Sequence, residues 1–262
     1  DFIGRPFKTS IVRKRVQNMI NIYVYKNHLE QQVQEQTAVL RKAYEKLEKQ
    51  KERVEKLNKD ILDMLGTIVE FRNLESGEHI MRVKGYTKIL AEKFKELYPE
   101  YNLTDETIDN IVEASALHDL GKISIPDKIL LKPGKLTKEE FEYMKLHTVK
   151  GCELIQAVNL EQSEELKQIC YDIIRYHHER YDGKGYPDGL KGDEIPVSAQ
   201  LVSLADVYDA LINERCYKDA FSNEKAFNMI MNGECGTFSP KLLETFKQVR
   251  DKFERFAIEE RK

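Results

Sequence analysis

Residues 111–122, IVEASALHDLGK, begin as an apolar segment and end in charged residues. The apolar spacing predicts a buried helix, and Gly121 predicts that the helix ends at this point. At a helix end the consecutive side chains of His118 and Asp119 can converge on one point, which the geometry inside a helix opposes. An imidazole and a carboxylate that converge are candidate ligands of a transition metal such as iron, manganese or zinc.

Four other histidines lie where they could join this pair. His147 falls at the end of a predicted helix, and His177 and His178 end another, directly before the turn-rich sequence YDGKGYP. His79 lies four residues after Glu75, so the two side chains would share one face of a helix. These positions extend the candidate site over several helices.

Asp206 adds a carboxylate from an apolar helix, LVSLADVYDAL (201–211). A buried aspartate needs a compensating partner, and a metal ion is one of the few that suffice. Each residue alone has an ordinary structural explanation, such as a helix cap for a histidine or a hydrogen-bonded carboxylate for Asp206. That explanation has to be repeated for every histidine except His28, which is expected on the surface of an amino-terminal helix.

The number of candidate ligands points to more than one ion. Five imidazoles and three carboxylates exceed what one ion can bind, and aspartate can bridge, so the sequence predicts two ions or three. A site with two metal ions polarises a phosphate and activates water for in-line attack.

The composition limits the class of protein. With 262 residues, 41% hydrophobic and 33% charged, the chain can bury a core beneath a charged surface. The net charge of −3 argues against a broad surface for a nucleic acid polymer and is compatible with a small anionic substrate. The four cysteines form no CxxC pair and suggest no disulfide framework, which favours a cytoplasmic location. No apolar run approaches the ~20 residues of a membrane segment.

A heptad pattern precedes the histidines. With Val33 at position a, most a and d positions up to Phe71 are apolar, and no glycine or proline occurs between Val33 and Gly66. This pattern predicts a coiled coil, against the alternative of a long amphipathic helix that packs on its own domain. Every strong segment after residue 60 is also helical, so we expect an all-α fold.

HDLGK at 118–122, HHER at 177–180 and GYP at 185–187 together resemble the HD-GYP subgroup of the HD phosphohydrolase superfamily. The resemblance covers about residues 60–260, where IPDKILLKPGKLT and ADVYDAL also follow the family pattern in order and spacing. It implies an HD-type helical bundle domain preceded by a long coiled-coil helix. It further implies hydrolysis of cyclic di-GMP to linear pGpG or GMP with two or three divalent metal ions, iron first and manganese next.

The resemblance also assigns roles to individual residues. The expected metal ligands are Glu75, His79, His118, Asp119, His147, His177, His178 and Asp206. The expected catalytic residues are Asp119 and Lys122, whose ammonium would offset developing negative charge. The expected substrate-binding residues are Lys122, Tyr186, Asp209, Arg215 and Lys218. The chain has Cys216 where the family usually has proline, and Arg180 is as readily a structural ion-pair residue.

The first residues, DFIGRPF, resemble the end of the receiver domain of a response regulator, with Arg5 in place of the usual lysine. The predicted organisation is a receiver remnant in 1–30, a coiled-coil linker helix in 31–65 and the HD-GYP catalytic domain in 66–262. The expected partners are a second copy of the chain in a parallel coiled-coil dimer, and a receiver domain or a cyclase.

Other functions stay open at this point. The chain could be a cyclic dinucleotide sensor or docking module with little turnover, although a complete ligand set argues against that. It could also hydrolyse cyclic GMP-AMP, which no residue excludes. An HD hydrolase that acts on another phosphoester, such as a nucleotide, is disfavoured by the GYP loop.

Overall fold

The computed structural model describes residues 8–73, 77–157, 164–213 and 220–259. The chain divides into two compact units, Asp1–Asn58 and Lys59–Lys262. Within the described ranges every regular element is a helix, and the one extended contact is an isolated bridge between Asp182 and Lys191. The all-α prediction is confirmed.

Ten α-helices and three short 3₁₀ helices make up the regular structure of the described residues. The α-helices are α1 Thr9–Arg72, α2 Glu78–Leu97, α3 Asp105–Ser115, α4 Asp127–Leu130, α5 Lys138–Lys145, α6 His147–Ala157, α7 Glu164–Tyr176, α8 Val197–Ile212, α9 Asn223–Met231 and α10 Pro240–Glu259. The 3₁₀ helices are Pro99–Tyr101, Leu120–Ser124 and Gly192–Glu194.

In the first unit, α1 leaves its apolar heptad positions exposed. The side chains of Leu40, Leu47 and Val54 are 70%, 62% and 55% exposed. Ion pairs between residues four apart, such as Arg41 with Glu45 at 3.3 Å, lie on the same helix. An exposed apolar seam of this length is the surface that a second helix would cover in a coiled coil. The long amino-terminal helix is confirmed, and the coiled coil stays a prediction.

The predicted organisation into three segments stays a prediction as well. Residues 1–7, which carry the resemblance to a receiver domain, lie outside the described residues. The predicted boundary at residues 65 and 66 falls inside α1, and the second compact unit begins at Lys59.

The second unit buries an aromatic core where α2 packs on α3, α8 and α10. Tyr86 of α2 lies 5.1 Å from Tyr208 of α8 and 4.7 Å from Phe253 of α10, measured between ring centroids. Phe246 completes the cluster at 5.2 Å from Phe253. All four side chains are at most 1% exposed, so their burial contributes a large share of the hydrophobic stabilisation.

Capping residues explain where α5 and α10 begin. The predicted capping box at α5 is present: the Thr137 hydroxyl accepts from the Glu140 amide at 3.2 Å, and the Glu140 carboxylate accepts from the Thr137 amide at 2.8 Å. Ser239 precedes Pro240 at the start of α10, and its hydroxyl accepts from the Leu242 amide at 3.1 Å. These caps stabilise backbone amides that have no partner within their own helix.

None of the helices within the described residues is both long enough and apolar enough to cross a bilayer.

Candidate active site and metal centre

The candidate ligands converge from the ends of four helices of the second unit and from the interior of a fifth. His79 lies in the first turn of α2, and His118 and Asp119 lie between α3 and the 3₁₀ helix that follows it. His177 directly follows α7, and Asp206 comes from the interior of α8. The sequence argument that convergence occurs at helix ends is therefore correct for most of the set.

His147 differs from the prediction, because it begins α6 and does not end α5. Its Nδ1 lies 2.8 Å from the Met144 carbonyl oxygen, and the Thr148 hydroxyl donates to the Lys145 carbonyl at 2.9 Å. These two side chains bond to carbonyl oxygens at the carboxyl end of α5. Helix α5 therefore ends before His147, where α6 begins.

Two groups of side chains have ligand atoms that all lie within 4.8 Å of one another. The first group is Asp119, His147, His177 and His178. The second group is Glu70, His79 and His118. Between the groups, the rings of His118 and His177 are in edge contact, with centroids 5.3 Å apart. The structure therefore brings six of the eight predicted ligands to one place as two adjoining clusters.

Asp206 lies beside the second group. Its Oδ1 is 3.7 Å from Nε2 of His79. Burial lowers the pKa values of His79 and His118, and the charge of Asp206 is one of the effects that oppose it. Asp206 also acts on His177 in the same direction. Asp206 therefore lies close to His79, and its role as a ligand stays a prediction.

Backbone carbonyls fix the orientation of three imidazoles. Nδ1 of His118 lies 2.8 Å from the Ser115 carbonyl oxygen, and Nδ1 of His177 lies 2.9 Å from the Ile173 carbonyl oxygen. His147 follows the same pattern. Because a carbonyl oxygen only accepts, each Nδ1 carries a proton, and Nε2 is the nitrogen that faces the site. Orientation of a ligand ring through its other nitrogen is typical of metal-binding histidines.

The Nε2 atoms of these rings surround Asp119. The distances from Nε2 of His118, His147 and His177 to the nearest Asp119 carboxylate oxygen are 3.3, 3.4 and 3.9 Å. All three Nε2 atoms are buried and make no hydrogen bond, and the same holds for Oδ1 of Asp119. Buried polar atoms without a hydrogen bond are costly, so their concentration at one point indicates that a ligand belongs there.

Lys122 balances part of the negative charge. Its Nζ lies 2.6 Å from Oδ2 of Asp119. Burial alone would raise the pKa of Asp119, but the charges of Lys122 and His118 outweigh it and hold the pKa well below its usual range. Asp119 is therefore a carboxylate at neutral pH, as a metal ligand has to be.

The histidines divide into two electrostatic classes. Burial lowers the pKa of His177 to about 3 and also lowers the pKa values of His147 and His178. Burial acts in the same direction on His118, but the carboxylate of Asp119 outweighs it and raises the pKa of His118 to about 9. Neutral imidazoles are ready metal ligands. A site that holds a proton as tightly as His118 does attracts positive charge, which a metal ion also supplies.

Asp209 is in a different place from the one expected of a substrate-binding residue. Its carboxylate is 1% exposed and accepts from Nδ1 of His79 at 2.7 Å and from Nε of Arg82 at 2.6 Å. Asn213 donates to the same carboxylate at 2.8 Å. These bonds engage the buried carboxylate of Asp209, which orients His79, and a role in substrate binding stays a prediction.

The GYP segment lies over the first group. The ring of Tyr186 is 4.7 Å from that of His178, at an interplanar angle of 32°, and 6.4 Å from that of His147. Glu179 anchors the segment, since its Oε1 accepts from the amides of Asp188 and Gly189 at 2.8 and 2.9 Å. Tyr186 thus packs directly on a candidate ligand, and whether it also contacts substrate stays a prediction.

Three predicted residues lie outside the described residues: Glu75, Arg215 and Lys218. Their expected roles as metal ligand and substrate-binding residues stay predictions. Arg180 is described, and its Nη1 donates to the Ser203 hydroxyl at 3.0 Å while its guanidinium lies 5.6 Å from the centroid of Phe238.

A family model for the HD domain matches residues 77–242. This range contains the His118–Asp119 pair and the GYP sequence at 185–187. The chain belongs to the HD domain family, in its HD-GYP subgroup.

Relatives from Vibrio cholerae serotype O1 resemble this HD-GYP chain over long stretches. The "Probable cyclic di-GMP phosphodiesterase" is 36% identical in an alignment of 274 positions, which covers 99% of this chain and 59% of that protein. The "3'3'-cGAMP-specific phosphodiesterase 2" is 38% identical over 196 residues, which are 75% of this chain and 35% of that protein. The chain thus spans less than two thirds of the length of either relative.

A solved structure resembles the HD-GYP chain in fold. A cyclic GMP-AMP specific phosphodiesterase from V. cholerae superposes with a TM-score of 0.54 at 18% sequence identity. The superposition covers 78% of this chain and 51% of that one. At this level of identity the likeness concerns the helical architecture alone.

Glu70 is the residue of the site that the sequence did not predict. It lies on α1, is 1% exposed, and belongs to the second group with His79 and His118. The only signal in the sequence is an acidic residue between Val69 and Phe71, and such a residue on a charged helix is usually solvated. The contact with His79 depends on how α1 packs on the rest of the HD-GYP unit, which the heptad pattern does not specify.

The residues present fit a set of divalent metal ions. The donors are imidazoles with outward Nε2 lone pairs together with carboxylates, a set that suits iron, manganese and zinc. The buried Nε2 atoms without hydrogen bonds are the direct observation behind this fit. With two adjoining clusters, the HD-GYP site has the donors for two ions.

Proposed function

We propose that this HD-GYP chain is a metal-dependent phosphodiesterase that hydrolyses cyclic di-GMP to linear pGpG or GMP. The observation that carries the proposal is the position of Asp119. Its carboxylate lies within 4 Å of three imidazole Nε2 atoms and 2.6 Å from the Lys122 ammonium. A carboxylate among imidazole nitrogens, with an ammonium beside it, suits phosphodiester hydrolysis on two metal ions.

The cofactors of the proposal are two or three divalent ions, iron first and manganese next. His147, His177, His178 and Asp119 would hold one ion, and His79, His118 and Glu70 would hold another. Asp206 would serve either ion, and Glu75 would contribute if there is a third. When bound, such ions polarise a phosphoryl oxygen and lower the pKa of water.

The remaining residues of the site bind and orient. The ammonium of Lys122 faces the negative charge that a phosphodiester brings and gains during attack. Neutral His147 and His177 leave their Nε2 lone pairs unprotonated, since burial lowers both pKa values. Asp209 keeps His79 aligned through Nδ1. Tyr186, Arg215 and Lys218 are proposed to contact the nucleotide, because cations beside the site would hold a dianion.

The names of the relatives support this substrate class. One relative is named for cyclic di-GMP and another for 3'3'-cGAMP. Cyclic GMP-AMP is therefore the second candidate substrate. A sensor or docking role with little turnover is the third reading, and the complete set of buried donors favours an enzyme over it. A cytoplasmic location follows from the proposed substrates, which are bacterial second messengers.

We also propose that the chain forms a parallel homodimer through α1. The exposed apolar seam from Leu40 to Val54 is the feature that supports it, because a seam of this length is unfavourable in water. A receiver domain and a cyclase are the further partners proposed. Light scattering of the purified chain should give twice the monomer mass, and a monomer at micromolar concentration would contradict the dimer.

The test of the catalytic proposal uses protein purified without oxygen. Metal content is measured first, and hydrolysis of cyclic di-GMP and of 3'3'-cGAMP is then followed by chromatography. Asp119→Ala should lose metal and lower the hydrolysis rate by roughly 10³-fold or more. The control is Asp109→Ala, an exposed aspartate of α3 that belongs to neither ligand group, which should keep both properties. Wild-type protein that binds a cyclic dinucleotide without metal-dependent hydrolysis would replace the enzyme with a sensor.

A further inference from the structure

Arg72, the last residue of α1, holds the backbone of the segment that carries Lys122. Its Nη1 donates to the carbonyl oxygens of Lys122 at 2.8 Å and of Ile123 at 2.6 Å. Its Nη2 donates to the carbonyl oxygen of Ile125 at 2.7 Å and to Oδ1 of Asp127 at 2.7 Å. One side chain thus makes four hydrogen bonds to a stretch of six residues.

These bonds supply donors to backbone carbonyl oxygens at the end of the 3₁₀ helix. The last carbonyls of the 3₁₀ helix Leu120–Ser124 have few partners within the helix itself. The carbonyl of Lys122 accepts from the Ile125 amide at 3.0 Å and from Arg72 as well. A guanidinium offers five donors in a rigid planar fork, and its charge is favourable at the carboxyl end of a helix. A lysine at this position could not bond to all these oxygens at once.

The 3₁₀ helix Leu120–Ser124 also packs closely against α6. A Cβ at Gly121 would overlap the carbonyl oxygen of His147. The segment is therefore confined between the backbone of α6 on one side and the guanidinium of Arg72 on the other. In this position the ammonium of Lys122 lies 2.6 Å from Oδ2 of Asp119.

We propose that Arg72 is a positioning residue that sets the place of the Lys122 ammonium over the metal centre. Among the described residues, Arg72 makes no hydrogen bond or ion pair with a candidate ligand, and it acts through the backbone of Lys122. Loss of the fork leaves the Lys122 carbonyl with the Ile125 amide as its donor, and the less restrained segment lets the ammonium move relative to Asp119. A displacement of about 1 Å of a group that faces the reacting atoms can lower a rate by about 100-fold.

Hydrogen exchange tests the structural part of this proposal without reference to activity. Amide exchange of peptides that span residues 120–127 is compared in metal-free wild-type protein, Arg72→Gln and Arg72→Lys. Loss of the fork should accelerate exchange there by about 10-fold or more in Arg72→Gln, with a smaller acceleration in Arg72→Lys. Arg41→Gln is the matched control, since Arg41 lies on the same helix and pairs only with exposed Glu45 among the described residues. Wild-type exchange rates in both Arg72 variants would overturn the proposal.

Asp127→Asn tests whether the segment is held by the ion pair between Arg72 and Asp127 or by the bonds from Arg72 to the carbonyl oxygens. Asp127 is 68% exposed, and its loss leaves the three bonds from Arg72 to carbonyl oxygens in place. Exchange of residues 120–127 should therefore change by less than about threefold. A change as large as that of Arg72→Gln would show that the ion pair, and not the backbone clamp, holds the segment.

Kinetics test the functional part, which rests on the proposed phosphodiesterase activity. With equal metal content, Arg72→Gln should lower kcat by about 10- to 100-fold and change KM by less than about threefold. In the Lys122→Met background, Arg72→Gln should lower kcat no further, because both changes act on the same ammonium. Multiplied defects in the double variant would overturn the role through Lys122. If wild-type protein hydrolyses no cyclic dinucleotide, the proposed function fails and the exchange measurement still decides the role of Arg72.

Discussion

Nδ1 of His79 lies 2.7 Å from Oδ2 of Asp209, a carboxylate that is 1% exposed and separated from His79 by most of the HD domain sequence. The carboxylate is itself held by Nε of Arg82 at 2.6 Å. Burial raises the pKa of Asp209, but the bonds from His79 and Arg82 outweigh it, and the net pKa is lowered. The charged carboxylate therefore fixes the His79 ring with Nε2 directed at the candidate metal centre.

Replacement of the Asp209 carboxylate should weaken metal binding, although Asp209 is not itself a proposed metal ligand. In Asp209→Asn the new amide group would place a donor against either Nδ1 of His79 or the Arg82 guanidinium, both of which donate. Metal affinity should fall by roughly 10- to 100-fold, measured by competition with a chromophoric chelator. Asn213→Ala is the control, since it removes a bond to Asp209 and leaves His79 in place. Wild-type affinity in Asp209→Asn would show that His79 needs no such support.

A partly buried ion triad should stabilise the packing of α1 on α2 and α3. Nζ of Lys84 lies 2.6 Å from Asp63 and 2.7 Å from Glu113. Lys84→Met should lower the free energy of unfolding by roughly 2–4 kcal/mol in chemical denaturation, because it leaves two carboxylates without their shared cation. Lys59→Met is the control: Lys59 is 50% exposed and 3.5 Å from Glu113, so its loss should cost less than about 1 kcal/mol. Equal losses in the two variants would contradict the buried role of Lys84.

The same triad predicts a dependence of stability on pH. Burial lowers the pKa of Lys84, but the bonds to Asp63 and Glu113 outweigh it and raise the pKa above its ordinary value of 10.5. A raised pKa means that the folded state holds this proton more tightly than the unfolded state. The stability that Lys84 contributes is therefore complete below pH 10.5 and is lost as the pH rises further. The difference in unfolding free energy between wild type and Lys84→Met should stay constant from neutral pH up to that value and shrink above it.

We expect Glu179 to stabilise the GYP segment as a hydrogen-bond acceptor and not through its charge. Its Oε1 accepts from the amides of Asp188 and Gly189, and its buried Oε2 makes no hydrogen bond. Glu179→Ala should accelerate amide exchange of residues 188 and 189 and lower the free energy of unfolding by about 1–3 kcal/mol. Glu179→Gln keeps an acceptor oxygen and should remain close to wild type in both measurements. If Glu179→Gln is as damaging as Glu179→Ala, the charge is the property that the loop requires.

Two cysteines should resist alkylation in the folded protein. Burial raises the pKa of the Cys152 thiol to about 11 and that of the Cys170 thiol to about 12. Because the thiolate is the reactive form, iodoacetamide near pH 7.5 should leave both unmodified until denaturant is added. Cys235 is partly exposed and should be labelled sooner, as followed by peptide mass spectrometry. Labelling of Cys152 or Cys170 at the rate of Cys235 would contradict their burial.

The family and most of the ligand set could be predicted from the sequence. His118 with Asp119 and His177 with His178 are adjacent in the chain, and a local break in a helix is enough to direct such pairs to one point. The capping box at Thr137 is local in the same sense. Helix type and end signals depend on residues within about four positions of one another, so a single sequence contains them.

Glu70, Arg72 and the role of Asp209 were decided only by the tertiary structure. Glu70 and Arg72 lie on α1, whose repeat predicts an exposed coiled-coil seam but not which turns face His79 and Lys122. Asp209 lies one turn from Asp206, and only the packing of α8 on α2 directs one carboxylate to the candidate centre and the other beneath it. Contacts between helices far apart in the chain depend on how side chains interdigitate, and periodicity within each helix carries no information on that.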